Sequence, residues 1–252
     1  MAKIALITGA TAGIGEACAH LFAAHQYNLV LTGRRHDRLE RLASHLNDKY
    51  NVEVAVSAFD VRNRDSVISN LESLPARWKN VDVLINNAGL SQGLDPIQNG
   101  SYDDWDTMID TNIKGLLYVT KVVSNWMIYN KQGQIVNIGS IAGKEVYPNG
   151  NVYCATKHAV GALSEGMRID LLSHGIRVTA VHPGAVETEF SEVRFKGDKD
   201  RAKKVYEGFD ALAANDIAET IWFVVSRPAH VNINEITVMP TAQATATNIF
   251  RS

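Results

Sequence analysis

The sequence predicts a doubly wound α/β fold: a single domain on a seven-stranded parallel sheet with helices on both faces. Three observations carry that expectation. Short apolar, β-branched runs alternate with stretches of helical spacing along the chain. A glycine-rich turn follows the first run, where a strand would hand over to a helix. At 252 residues, with 46% apolar and 21% charged residues, the chain is long enough to fill one large core and has ordinary globular composition.

In chain order the strand candidates are Ile4–Thr8, Asn28–Thr32, Val52–Phe59, Val81–Asn86, Gln134–Ile138, Arg177–His182 and Glu235–Val238. Parallel neighbours need a crossover of fixed hand, so the helical stretches between them cover both faces of the sheet. Two helical segments are long, about Tyr102–Tyr129 and Val152–Ser173. Each carries more apolar residues than one sheet-facing stripe requires, as with Leu116, Leu117, Val119, Val122 and Val123 on the first. That surplus is either core or a subunit interface. Between Thr188 and Gly208 the chain turns polar and charged, an insertion after a strand end where a lid over a site is expected.

Charge and composition exclude several classes. Twenty-five Lys and Arg against 27 Asp and Glu leave a net charge of -2, which argues against nucleic-acid binding by bulk electrostatics. No apolar run approaches the roughly 20 residues of a membrane span. The opening MAKIALITGA runs directly into the glycine turn and carries no separate cleavage signature, so no signal peptide is expected. Cys18 and Cys154 lack C-x-x-C partners, so neither a disulfide framework nor a cysteine zinc site is expected, and a reducing, cytoplasmic setting is the default. The eight histidines show no metal-ligand spacing; no catalytic metal is expected, and His182 reads as a strand-end residue. Cys154 reads as a small packed hydrophobe.

The glycine turn is Thr8-Gly9-Ala10-Thr11-Ala12-Gly13-Ile14-Gly15. Its glycines permit tight turning and close approach, so that free N–H groups at a helix N-terminus meet a pyrophosphate. The second strand ends at Gly33-Arg34-Arg35, where an Asp or Glu would suit the ribose hydroxyls of NAD. Arg34 and Arg35 instead suit a 2'-phosphate, by charge and planar hydrogen bonding. Asp37 reads as a first-turn acid that offsets the helix dipole. Asp60-Val61 and Asn86-Asn87-Ala88-Gly89 follow the third and fourth strands, again at the edge where such sheets bind ligands.

Chemistry is expected from Ser140, after the fifth strand, with Tyr153 and Lys157 at i and i+4 on the following helix. A neighbouring cation favours the phenolate and brings a tyrosine toward working range, while a strand-end serine can hold the substrate oxygen.

TGATAGIG, NNAG, Asn112 in DTNIKG, Ser140 and the Tyr153/Lys157 pair together resemble the short-chain dehydrogenase/reductases across essentially the whole chain. The resemblance implies a Rossmann-type fold, Tyr153 as general acid/base, and Lys157 as a ribose ligand that lowers the tyrosine pKa. Ser140 would orient the carbonyl, and Asn112 would hold the helix and water of a proton relay. Asp60 and Val61 would contact adenine, Asn87, Ala88 and Gly89 would line the cofactor cleft, and Pro183, Gly184, Val186 and Thr188 would hold the nicotinamide end. The family's basic residue before the second motif glycine is Ala12 here, so NADP preference rests on Arg34 and Arg35. A homotetramer built through the two long helices is also implied.

A narrower resemblance lies in LPARW, DTMIDTN, GNVY, EVRFKGD and PAHVNINEITVMP, which are similar to segments of bacterial NADP-dependent 3-hydroxy acid dehydrogenases and of sulfoacetaldehyde reductases. The implied substrate is a short aldehyde bearing a carboxylate or a sulfonate, for which a cation or donor cluster is needed. Arg194 is the candidate anion clamp, with Tyr147 and Asn151 as supporting donors; a surface salt bridge to Glu189 or Glu192 is the alternative. Lys144-Glu145 and Asn248-Ile249-Phe250 depart from the hydroxy-acid pattern. Phe250 either reaches a neighbouring subunit's pocket or belongs to a frayed tail. Broad reduction of neutral carbonyls and non-catalytic sensing of NADP remain the competing functions.

Overall fold

A computed structural model describes residues 2–252. In chain order the elements are β1 (Ile4–Thr8), α1 (Gly13–Ala24), β2 (Asn28–Gly33), α2 (His36–Tyr50), β3 (Val54–Ala58), α3 (Arg64–Glu72) and β4 (Val83–Asn86). They continue as α4 (Tyr102–Ile109), α5 (Leu116–Asn130), β5 (Gly133–Ile138), α6 (Asn151–Asp170), β6 (Ile176–Pro183), α7 (Phe190–Arg194), α8 (Lys199–Lys204), α9 (Ala214–Val225) and β7 (Glu235–Val238). The seven strands form one sheet, ordered β3-β2-β1-β4-β5-β6-β7, and every pairing is parallel. The expected architecture is the one observed.

Strand alternation explains why the runs look continuously apolar. In β1, Ala5 and Ile7 join one core with Phe22 of α1 and Ile217 and Ile221 of α9, while Ile4 and Leu6 join the other with Val67, Val119 and Met127. Both faces of β1 are therefore dry, and it shows no period-two polarity; the edge strand β7, Glu-Ile-Thr-Val, does alternate. The apolar surplus on α5 is mostly core: Leu116, Val119 and Val123 are buried and Val122 packs against them, leaving Leu117 exposed. Among the described residues, no helix is long and apolar enough to cross a membrane.

Several boundaries differ from expectation. The third and fourth strands begin at Val54 and Val83, because Glu53 N is taken by the Asn28 side chain at 3.0 Å and the Asp82 carboxylate accepts from Ile4 N at 2.8 Å. The first long helix is interrupted by a π turn over Asp110–Gly115, which separates α4 from α5. The second ends at Asp170, followed by a 3-10 turn over Leu172–His174. The segment from Thr188 to Gly208 contains α7 and α8.

Candidate functional site

The sheet reverses direction of growth between β1 and β4, and a cleft of about 470 Å³ opens over the C-terminal strand ends there. Every residue expected at the site lines this cleft except Gly15, Asn112, Asn151 and Phe250. Chain segments far apart in sequence thus converge on one groove.

The glycine turn forms the floor. Gly9 and Gly13 have φ of +66° and +57°, the left-handed region that favours glycine, and a Cβ on Gly13 would come 3.2 Å from the Thr188 methyl. Gly15 serves packing instead of lining: its Cβ would lie 2.4 Å from Gly9 O and 2.5 Å from Asn87 Nδ2. Asn87 Nδ2 donates to Thr8 O at 3.0 Å and Gly9 O at 3.2 Å, and Thr8 Oγ1 accepts from the backbone N–H groups of Asn87 and Ala88 at 3.0 Å each. The NNAG segment therefore staples the end of β4 to the glycine turn. Gly15→Ala should force these backbones apart, at the roughly 1–3 kcal/mol typical of overpacking. A melting temperature about 3–10 °C below wild type is expected by calorimetry.

At the adenosine end, Arg34 lines the cleft and is exposed. Arg35 lies along the glycine turn, with Nε and Nη2 donating to Thr11 Oγ1 at 3.0 and 2.8 Å. Its Nη1 pairs with Glu189 at 2.8 Å, and Arg38 pairs with the same carboxylate at 2.7 Å. Asp60 is bound by Arg62 at 2.7 Å, which also takes its backbone N–H to the carboxylate.

At the other end, Ser140, Tyr153 and Lys157 share one wall. Ser140 Oγ accepts from Ala142 N at 3.1 Å, which fixes the turn after β5, and buried His182 supports that turn with Nδ1 3.3 Å from Ser140 O. Lys157 Nζ donates to Ile138 O at 2.8 Å and lies 6.0 Å from the Tyr153 ring centroid. Burial lowers the Lys157 pKa to about 8. Burial also pushes the Tyr153 phenol up, reinforced by Tyr147 and opposed by the Ser140 hydrogen bond and Arg194. Tyr153 is enclosed by neighbours including the Phe190 ring at 5.7 Å, and within the protein alone loss of water outweighs the Ser140 hydrogen bond and the Arg194 charge.

Asn112 sits in the π turn, buried behind the cleft. Its Oδ1 accepts from Leu90 N at 2.9 Å, and its Nδ2 donates to Leu90 O at 2.8 Å and Thr156 Oγ1 at 3.0 Å. All its side-chain contacts join the segment after β4 to α6, so the side chain is a clamp and the extra backbone residue of the turn places it there.

Among the described residues Arg194 pairs with neither Glu189, which is held by Arg35 and Arg38, nor Glu192, which forms no ion pair. Its Nη2 donates to Tyr147 OH, its guanidinium carbon lies 5.6 Å and 5.5 Å from the Tyr147 and Tyr153 ring centroids, and its buried Nε has no partner. Asn151 falls outside this groove: its Nδ2 donates to Asp95 O at 3.0 Å, beside a small separate cavity bordered by Tyr153 and Arg194.

Phe250 does not line the cleft, and its surroundings are not those of a frayed tail. The tail folds back through a bridge between Gln243 and Ile249, and Ser252 N donates to Gly208 O at 2.9 Å. Phe250 itself is 73% exposed, whereas Gln243, Ala246 and Ile249 complete the rim. The departing residues Lys144 and Glu145 are structural, holding Glu235 at 2.6 Å and Ala246 N at 2.7 Å. Sequence reading also missed Leu90, Phe190 and Tyr206 on the cleft wall. The last two lie in the segment marked as a lid; Gln243 and Ile249 carry no local signal at all.

An order reversal at the sheet centre, a glycine floor beneath a strand-end groove and a Ser/Tyr/Lys wall define a dinucleotide-binding α/β protein. The short chain dehydrogenase family pattern matches residues 3–199, and the chain belongs to that family of oxidoreductases. It is 48% identical to the NADP-dependent 3-hydroxy acid dehydrogenase YdfG of Salmonella typhi, over 96% of this chain and 97% of that protein. It is 46% identical to sulfoacetaldehyde reductase 2 of Chromohalobacter salexigens, over 97% of this chain and 96% of that one. The closed form of serine dehydrogenase complexed with NADP+ superposes with a TM-score of 0.92 at 46% identity, covering 99% of this chain and 100% of that structure.

Proposed function

We propose that this chain is an NADPH-dependent reductase of short aldehydes that carry a carboxylate or sulfonate, and that it runs the reverse oxidation of the matching hydroxy acids. The observation that carries the reading is Arg194, a guanidinium with an unpartnered buried Nε set between Tyr147 and the catalytic candidate Tyr153. A fixed cation beside the proton donor suits an anionic substrate and gains nothing with a neutral one.

The cleft fits the dinucleotide. Gly13 leaves open the space a Cβ would fill against Thr188, and the α1 N-terminus behind it offers free N–H groups for a pyrophosphate. Arg34 and Arg35 would take the 2'-phosphate, with Asp60 and Val61 beside adenine and Pro183, Gly184, Val186 and Thr188 at the nicotinamide. When bound, the reduced nicotinamide would supply the hydride for the carbonyl carbon. Ser140 Oγ would hold the carbonyl oxygen, Tyr153 Oη would give it a proton, Lys157 Nζ would hold the ribose, and Arg194 with Tyr147 would orient the acid group. A phenol kept protonated by burial is matched to donation, the role that reduction demands. The segment 188–208 closes over the groove and excludes water. We place subunit contacts of a homotetramer on exposed Leu117, Tyr129, Ile169 and Leu172, on or beside the two long helices.

NADPH oxidation with matched malonic semialdehyde, sulfoacetaldehyde and a neutral aldehyde of similar size tests this reading. A strong preference for one anion is expected and selects between the two acids. Equal rates with the neutral compound would make the protein a broad carbonyl reductase, and NADPH binding without turnover would make it a sensor.

A further inference from the structure

Glu189 immediately follows Thr188 at the start of the lid segment, and its carboxylate does not face solvent alone. Oε2 accepts from Arg35 Nη1 at 2.8 Å, and Oε1 accepts from Arg38 Nη1 at 2.7 Å. The two arginines come from the end of β2 and the first turn of α2, across the glycine turn from the lid. Arg35 Nε and Nη2 also donate to Thr11, Arg34 and Arg35 both line the cleft, and Arg38 lies outside its lining. The lid's other anchors lie elsewhere: Gly93 N donates to Arg194 O at 3.1 Å and Lys196 pairs with Asp104 at 2.9 Å at the substrate end, Tyr206 OH donates to Val186 O at 2.9 Å, and Arg251 Nη2 in the tail donates to Val205 O at 3.1 Å. Among the described residues, the pairs of Glu189 are the lid's only ion pairs with the β2–α2 segment.

We propose that Glu189 is a clasp which, through Arg35 and Arg38, holds the lid over the adenosine half of the bound cofactor and so controls how fast the cofactor leaves. The inference rests on the reading of the cleft as an NADPH site and deepens it. Two charge-assisted hydrogen bonds to one carboxylate fix the lid's direction as well as its position. The hydrogen bond from Arg38, and then those from Arg35, hold the Glu189 carboxyl below its usual range, so it stays charged through neutral pH. All three side chains are 41–44% exposed, which makes each pair weak enough to open in every turnover. The guanidinium that grips the clasp is also one that faces the 2'-phosphate subsite, so lid and cofactor charge meet on Arg35.

The test is the dissociation rate of NADPH and of NADH from the intact wild-type protein, Glu189→Gln, Arg38→Gln and the double variant, followed by stopped-flow fluorescence. NADH carries no 2'-phosphate and reads the clasp alone. Both cofactors should leave each single variant about three- to tenfold faster than wild type, the size expected when partly exposed ion pairs are lost. The double variant should be no faster than the singles, high salt should bring wild type toward them, and melting temperatures should stay level. Unchanged dissociation in Glu189→Gln overturns the clasp. So does slower NADPH release with NADH unaffected, which would make Glu189 a competitor for the phosphate subsite. A wild type that binds neither cofactor fails the functional reading first, and the clasp falls with it.

Discussion

Tyr153→Phe is expected to lower kcat for aldehyde reduction by roughly 10²–10⁴-fold, the usual contribution of a positioned proton donor. NADPH binding, measured by fluorescence, should persist, since the ring still fills the same wall between Phe190 and the Arg194 guanidinium. Retained turnover would remove Tyr153 from the chemistry. The pH profile gives an independent check. Burial lowers the Lys157 pKa from 10.5 to about 8, so its ammonium is charged below that value and lost above it. Reductive kcat/KM of wild type should therefore be level near neutrality and fall as pH rises past about 8. Burial keeps Tyr153 protonated across the same window, so the fall belongs to the lysine.

Arg194→Ala should reduce kcat/KM for the anionic aldehyde by roughly 10- to 100-fold, the value of a charge-assisted hydrogen bond of about 1.5–3 kcal/mol. Most of the loss should appear in KM, because the guanidinium holds the acid group, not the reacting carbonyl. The neutral aldehyde should lose little, and steady-state kinetics on both substrates separates a binding role from general damage. Equal losses would mean that the Arg194 side chain only props the cleft wall through Tyr147 and Tyr153. No loss at all would dismiss the anion clamp.

The sheet was legible because a buried parallel strand has an unambiguous signature. Ile4–Thr8 and the other runs are too short for helices, too apolar for surface strands, and bounded by turn residues. The glycine turn and the strand-end Asn, Ser, Tyr and Lys residues were legible for a related reason: position at a strand end already fixes which edge of the sheet they face. What escaped depended on contacts between distant segments. The π turn at Asp110–Gly115 surrounds Asn112, whose partners Leu90 and Thr156 are remote in the sequence. Glu189 was read only as a partner for Arg194, because nothing local shows that the lid crosses to α2. The path of the tail was not legible, since Gln243 and Ile249 reach the rim through a bridge that no short-range pattern encodes.

The placement of the groove also bears on how the molecule holds together. The floor of the groove is the joint between β1 and β4, where Ala5 pairs with Val83 and Asn87 returns to Thr8 and Gly9. This is the seam between the two wings of the sheet, closed by partners remote along the chain, and joints of that kind are slow to form. A dinucleotide laid across it touches both wings and binds only after they have met. The coenzyme thereby acts as a fastener for the native state, contributing about 2.7 kcal/mol when present at a hundred times its dissociation constant. Stability toward unfolding should then rise with coenzyme concentration, read as a higher melting temperature.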